Sequence, residues 1–378
     1  MKATKAFVLV LIILAVVYMP VCANQDENQE ILQEQYQATG ADELMDQLPD
    51  GVDEQLEENG IESPSSEEIM EFDIGSFFHS LWNSAVSALK SPLVLLASSI
   101  GIILLCAMFE AFRDTIDNSL SGVLNVVTSL AISSVLLIPV IHCITYIANI
   151  IQETANFLMC FIPVFSGIIG ASGCPTAALG YNTALFAVVQ LISAITSHLL
   201  LPFIGVFLAL SVCCSVSGQF DISSLTSTVR KTVMWSLTLM ITLFVGLFSA
   251  QNMVASSADT LSIKTAKFMS GSFVPIIGNA IGDAIGSVVG CLGLIKSSVG
   301  AFGIIVCILT FLPPILLVLF YMLAIKLSGA CADILGVKGI SLLLNAVFDT
   351  LSILIAFLIC YAVLTIVTTT MMIAISSL

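Results

Sequence analysis

The sequence predicts an all-α polytopic membrane protein of about six to eight transmembrane helices. Two of its proline-interrupted units look related, and a signal peptide and an acidic, mostly disordered extracytoplasmic segment precede them. Three observations carry this prediction. The 378-residue chain is 58% hydrophobic and only 10% charged, against about 25% charged in soluble domains. Its apolar residues gather in runs long enough to cross a bilayer, separated by short polar turns. Its charge is segregated: seventeen of the 26 acids lie between Asp26 and Asp73, and no Lys or Arg lies between Lys5 and Lys90. Those seventeen exceed the net charge of −15. The rest of the chain is therefore close to neutral, with no basic patch for nucleic acid.

The N-terminus, "MKATKAFVLVLIILAVVYMPVCANQDE", has the layout of a secretory signal over residues 1–23. Lys2 and Lys5 form its charged region, and Ala6 to Met19 its apolar core, short for a span of about 20 residues. Val21 and Ala23 occupy the small-residue positions, so cleavage is expected after Ala23; the alternative is an uncleaved first span. Either way, residues 24–72 lie outside the cytoplasm. Their Gln-, Glu- and Asp-rich composition predicts a largely disordered or weakly helical segment, either a solvated tail or a stretch that folds on a partner. Residues 73–90, "DIGSFFHSLWNSAVSALK", place Ile74, Phe77, Phe78, Leu81, Trp82, Val86 and Leu89 on one helical face, the pattern of an interfacial amphipathic helix.

The multi-pass region occupies 91–378. A first span starts at Pro92, and a second covers about 120–147. A short stretch with an internal proline, Pro163, follows, and then a long run broken at Pro202. After the polar 217–231 the order repeats: a span, a polar connector, a short glycine-rich stretch with Pro275, and a long run broken at Pro313-Pro314. A last span covers about 351–375. The repeats, about 120–216 and 232–325, correspond down to residues. Thr154-Ala155-Asn156-Phe157 and Phe161-Ile162-Pro163-Val164 are matched by Thr265-Ala266-Lys267-Phe268 and Phe273-Val274-Pro275-Ile276. Paired, interrupted hydrophobic segments point to a central pathway in transporters, although chance similarity between apolar sequences is the competing explanation. If the short stretches span, each unit crosses three times; if they re-enter, twice. Positive-inside counting leaves a tie. The first model puts Arg113, Lys264, Lys267, Lys326 and Lys338 inside, with Arg230, Lys231 and Lys296 outside. The second puts Arg113, Arg230, Lys231, Lys326 and Lys338 inside, with Lys264, Lys267 and Lys296 outside.

Gly278, Gly282, Gly286 and Gly290 recur every fourth residue, so they share a helical face and allow close backbone approach. Tight packing within one chain, self-association and pathway lining all fit this spacing. Asp283 lies among them; an acid facing lipid costs a few kcal/mol, so it should face protein or water. Lys296 and Lys326 bound their segments and are expected to snorkel, and Asp349 with Asn345 precedes the last span. The chain carries no G-x-S-x-G, P-loop or H-E-x-x-H pattern. Its cysteines and three histidines have no metal-ligand spacing. Neither an enzyme nor a cofactor is expected.

Residues 265–303, "TAKFMSGSFVPIIGNAIGDAIGSVVGCLGLIKSSVGAFG", resemble the stage III sporulation protein AE family of endospore-forming Firmicutes. Thr265, Ala266, Lys267, Phe268, Gly271, Phe273, Pro275, Gly278, Asp283, Lys296, Val299, Gly300 and Gly303 carry the resemblance. The general plan agrees over almost the whole chain, but the regular glycines beyond Gly278 are outside the family pattern. The resemblance implies a multi-pass protein of the mother-cell membrane around the forespore, with its N-terminal segment extracytoplasmic. It implies a non-enzymatic subunit of a secretion-like channel joining mother cell to forespore, needed for late forespore gene expression. The implied partners are other membrane proteins of the same operon, a secretion-type ATPase, ring-forming subunits, and a forespore-membrane protein across the gap. The residues alone leave a rival open, a stand-alone secondary transporter with a midplane substrate site. A third possibility is a scaffold that recruits others through the acidic segment.

Overall fold

A computed structural model describes residues 36, 39–71, 74–111, 118–196, 198, 201–217, 223–273 and 277–374. The expected signal, its cleavage point, Arg113 and Pro275 lie outside the described residues. Among those described, all regular structure is helical. A 3-10 turn at Asp42–Gln47 is followed by α1 (Val52–Glu58), α2 (Ser66–Glu71), α3 (Ile74–Ala88), α4 (Lys90–Ala111) and α5 (Asn118–Ala171). Then come α6 (Pro175–Ile195), α7 (Leu201–Ser217), α8 (Ser223–Phe273), α9 (Ile277–Ile334) and α10 (Lys338–Ala374). Six described stretches are long and apolar enough to cross a membrane, one in each of α4, α5, α6, α8, α9 and α10. The chain is thus a multi-pass membrane protein by build.

The helices are far longer than spans. α5 has 54 residues, α8 51 and α9 58. At 1.5 Å per residue these reach about 77–87 Å, more than twice the bilayer's hydrocarbon core of about 30 Å. Residues 152–171 therefore neither span separately nor re-enter; they continue α5. Residues 277–293 likewise open α9. Each of these stretches shares one uninterrupted helix with the apolar run beside it, so neither forms a separate crossing between turns. Pro139 and Pro163 sit inside α5, and Pro313-Pro314 inside α9. Interior prolines persist where neighbouring helices support the freed carbonyls. The two expected units differ in detail: a turn at 172–174, with Gly173 at φ 97, ends α5 shortly after Pro163. The corresponding stretch of α9 is continuous helix.

Side-chain contacts fix the depth of each helix. α10 lies antiparallel along α9, with Phe311 against Tyr361 and Lys326 against Asn345. Its apolar window is 72% buried against 11% for that of α8, so α10 is central and α8 peripheral. α6 lies antiparallel to α5 through Asn182–Ser166 and Ser193–Gln152. It is antiparallel to α8 through Ala177–Asp259 and Gly180–Gln251. At the other end, Ser91 of α4 and Cys143 of α5 both interact with Tyr321 of α9. From that depth α4 continues beside the first half of α5. The bundle thus has two storeys.

The acidic segment is where composition misleads. Residues 39–71 are folded, not disordered, with Ala41, Leu44, Val52, Leu56 and Ile61 buried. Asp42, Glu43, Asp46, Asp53, Glu54, Glu57 and Glu58 point outward. The segment packs as a strap on α5 and α9. Gln47 meets Cys160, the Asp50 N–H bonds Glu153, and Tyr36 bonds Ser298. The expected helix at 73–90 forms as α3, but Phe77 and Leu81 are buried in protein rather than free to enter headgroups. Acids cannot be immersed in hydrocarbon, so the outer face of the strap meets water. α4, 22 residues and about 33 Å long, is long enough to cross the bilayer once.

Candidate functional site

The upper storey meets at a junction built by α5, α6, α8, α9 and α10. Gly300 and Gly303 of α9 make it possible. A Cβ at Gly303 would lie 2.3 Å from Cζ of Phe161, and one at Gly300 would lie 2.6 Å from Ile373 and 3.0 Å from Phe165. Phe157, Phe161 and Phe165 stack along α5 with ring centroids 5.7 and 5.3 Å apart, and Tyr181 of α6 closes the row edge-on. Each of these rings is essentially fully buried. This junction is a packed core whose tightest approach depends on two missing side chains.

One turn above it lie the polar groups. Asp259 of α8, 2% exposed, accepts the backbone N–H of Thr176 at 3.0 Å and of Ala177 at 2.9 Å. Pro175 opens α6, so these are donors the helix cannot use internally, and an acid there also complements the helix dipole. Lys296 is completely buried and its Nζ makes no hydrogen bond among the described residues. It does not snorkel as expected. Cys174, in the turn before α6, lies within electrostatic reach of both Lys296 and Asp259. Burial pushes the Cys174 thiol up, the Lys296 cation opposes that shift, and the Asp259 carboxylate adds to it. Tyr36 of the strap donates to the Pro64 carbonyl at 2.9 Å and shares a hydrogen bond with Ser298, beside Lys296 in sequence. Burial pushes the Tyr36 hydroxyl up to about 12.

A second cluster lies near the depth at which α4 begins. Arg230 Nη1 donates to Asp349 Oδ1 at 2.8 Å, and its guanidinium sits 5.6 Å from the Phe348 ring centre. Lys326 Nζ lies 5.2 Å from the same ring and 3.5 Å from Asn345 Oδ1. Three helices, α8, α9 and α10, are tied there by charge and a shared aromatic face.

The residues singled out from the sequence are scattered by this arrangement. Thr265, Ala266, Lys267, Phe268, Gly271 and Phe273 fall in the last turns of α8. Gly278, Gly282, Asp283 and Gly286 fall in the first turns of α9; the side chains of both groups lie outside the described residues. Gly290 is exposed, and among the described residues nothing lies within 4 Å of where its Cβ would be. Pro163 stands inside α5 near the stacked rings. Lys296, Gly300 and Gly303 do come together, at the junction. Sequence inspection missed Asp259, Tyr36 and the strap contacts. Asp259 had one visible signal: it is the first charge after Lys231, ending a long uncharged stretch. Among the described residues, no group of three His, Cys, Asp or Glu could hold a metal ion.

The family model described as stage III sporulation protein AE matches residues 58–376. The chain belongs to that family. Its match takes in α2 through α10 and both clusters apart from Tyr36. A curated relative, stage III sporulation protein AE of Bacillus subtilis (strain 168), is 25% identical over 325 residues, covering 82% of this chain and 80% of the relative. No solved structure matches. Membership in the stage III sporulation protein AE family carries a role in sporulation, and the family is not a known class of enzymes.

Proposed function

We propose that the chain is a non-enzymatic subunit of the secretion-like channel complex that joins mother cell and forespore and supports late forespore gene expression. It sits in the mother-cell membrane around the forespore, with its N-terminal segment extracytoplasmic. One observation carries this reading beyond family membership: α5, α8 and α9 continue past the depth of α4 into a helical storey wrapped by an acidic strap. Rigid helices that leave the bilayer on the strap's side offer contact surface in the space between two membranes. The partners are then the other membrane proteins of the operon, its secretion-type ATPase and ring-forming subunits, and a forespore-membrane protein.

A stand-alone permease needs a polar site at mid-bilayer. Asp283, the acid the sequence offers for it, lies 13 residues before Lys296 in α9, about 20 Å further from the spanning storey. Deleting the gene should arrest forespore maturation after engulfment. Normal spores from the deletion strain would remove the proposal, and solute uptake by the purified chain alone in liposomes would favour the permease.

A further inference from the structure

We infer that the cluster of Arg230, Lys231 and Lys326 around Phe348 is a binding site for the phosphate headgroup of an anionic phospholipid. Arg230 Nη1 donates to Asp349 Oδ1 at 2.8 Å, with the Arg230 side chain 40% and that of Asp349 14% exposed. Lys326 is exposed, and the amide oxygen of Asn345 stands 3.5 Å from its Nζ, a long contact. Both cations lie over one ring, 5.6 and 5.2 Å from the Phe348 centre. Lys231, next to Arg230, is exposed as well. The next acid along α9, Asp333, is about 10 Å further on. Among the described residues, three cations thus share one carboxylate, in a chain whose net charge is −15.

The depth is that of a headgroup layer. Residues 232–258 of α8 contain no charged side chain, and the candidate span of that helix runs from Arg230 to Asp259. Trp235, 68% exposed, stands about 8 Å inside that end, where interfacial aromatic side chains gather. Lys326 falls within the apolar stretch of α9, yet it is exposed; an exposed ammonium is not held against lipid tails. On α4, Ser91 bonds Tyr321, five residues before Lys326, so the exposed Lys90 stands at a similar level. The apolar stretch of α4 begins at that lysine. Cations on three helices thus mark one boundary between water and lipid.

Chemistry selects the ligand. Arg230 uses Nη1 on Asp349; the rest of its guanidinium fork and the Lys231 and Lys326 ammonium groups are donors suited to phosphate oxygens. A phosphodiester anchored by acyl chains supplies negative charge at the depth where these cations stand. A zwitterionic choline head is disfavoured, because it brings a quaternary ammonium to a ring that two cations already occupy. A free phosphate ion meets the same donors but has no tails to hold it at the boundary. The inference concerns lipid contact and does not rest on the channel reading.

Titrating the full-length protein in neutral detergent with lipid, and counting bound molecules by native mass spectrometry, tests it. Phosphatidylglycerol should bind about tenfold or more tighter than phosphatidylcholine. Lys326 is exposed, so Lys326→Gln should fold as the parent does, and it should weaken phosphatidylglycerol binding about fivefold. Lys90→Gln removes the same charge at a similar level but outside the cluster. Its effect should stay under about twofold, because a charge out of contact is screened. Asp349→Asn removes the competing carboxylate and should tighten binding severalfold, a direction that a misfolded variant does not give. The inference is overturned if the two lipids bind alike, if Lys90→Gln weakens binding as much as Lys326→Gln, or if Asp349→Asn weakens it. Displacement of the lipid by inorganic phosphate would identify a soluble anion instead and also overturn it. A normal spore yield from the deletion strain would leave this result untouched, so the two proposals fail separately.

Discussion

Glycine at 303 and glycine at 290 have opposite surroundings, and the difference is measurable. Adding a methyl at Gly303 drives it into Phe161, a ring held between Phe157 and Phe165 and unable to swing away. Gly303→Ala should therefore cost about 1–3 kcal/mol, the usual penalty of overpacking. Gly290→Ala meets none of the described residues and should stabilise by up to about 1 kcal/mol through helix propensity. Thermal unfolding in detergent, followed by circular dichroism, should move the two variants in opposite directions. The four-residue repeat was plain in the sequence, but spacing states only that glycines share a face. Which face has a neighbour depends on helices distant in sequence. Lys296 shows the same limit: a lysine bounding an apolar run suggests snorkelling, and only the contacts of α9 reveal that it is enclosed.

At the scale of elements, two contacts join parts that the sequence keeps far apart. Asp259→Ala would strand the N–H groups of Thr176 and Ala177 at the buried start of α6. The expected cost is about 1–3 kcal/mol, with Asp259→Asn retaining part of the interaction because one carbonyl oxygen remains. Unfolding midpoints of both variants against the parent check this ranking. The strap carries its own titration. Docking holds the Tyr36 hydroxyl neutral, raised from 10.0 to about 12. Its contribution is fully present below pH 10 and is lost as pH rises through about 12. Strap cleavage by an added protease should rise across that window, and in Tyr36→Phe the rise should be absent. Expecting disorder here was a fault of averaging. Acids dominate the composition, yet Leu44, Val52, Leu56 and Ile61 suffice to hold the segment once α5 and α9 offer a surface. A chain read alone does not display that surface. The amphipathic α3, by contrast, was legible from its periodicity, because that signal is local.

For the whole molecule, membrane class, helical build and family were legible because they rest on composition, apolar run length and a dense local motif. Topology was not. The short proline-containing stretches read as independent segments because 152–171 and 277–293 have the length and polarity breaks of spans. The first continues α5 through Pro163, and residues 277–293 run without a break into the rest of α9. Positive charge could not settle the matter: Arg230 and Lys326 are engaged with Asp349, Phe348 and Asn345, so part of the basic count is tied up within the bundle. The central claim of the proposed function is that one storey spans the bilayer and the other leaves it on the strap's side, carrying the ends of α8 and α9 with it. Labelling single cysteines with an impermeant maleimide tests this directly, using Lys264→Cys in α8, Glu57→Cys on the strap and Asp333→Cys at the far end of α9. Lys264→Cys and Glu57→Cys should react from the same side and Asp333→Cys from the other. Reaction of Lys264→Cys from the side opposite Glu57→Cys would contradict the two-storey account.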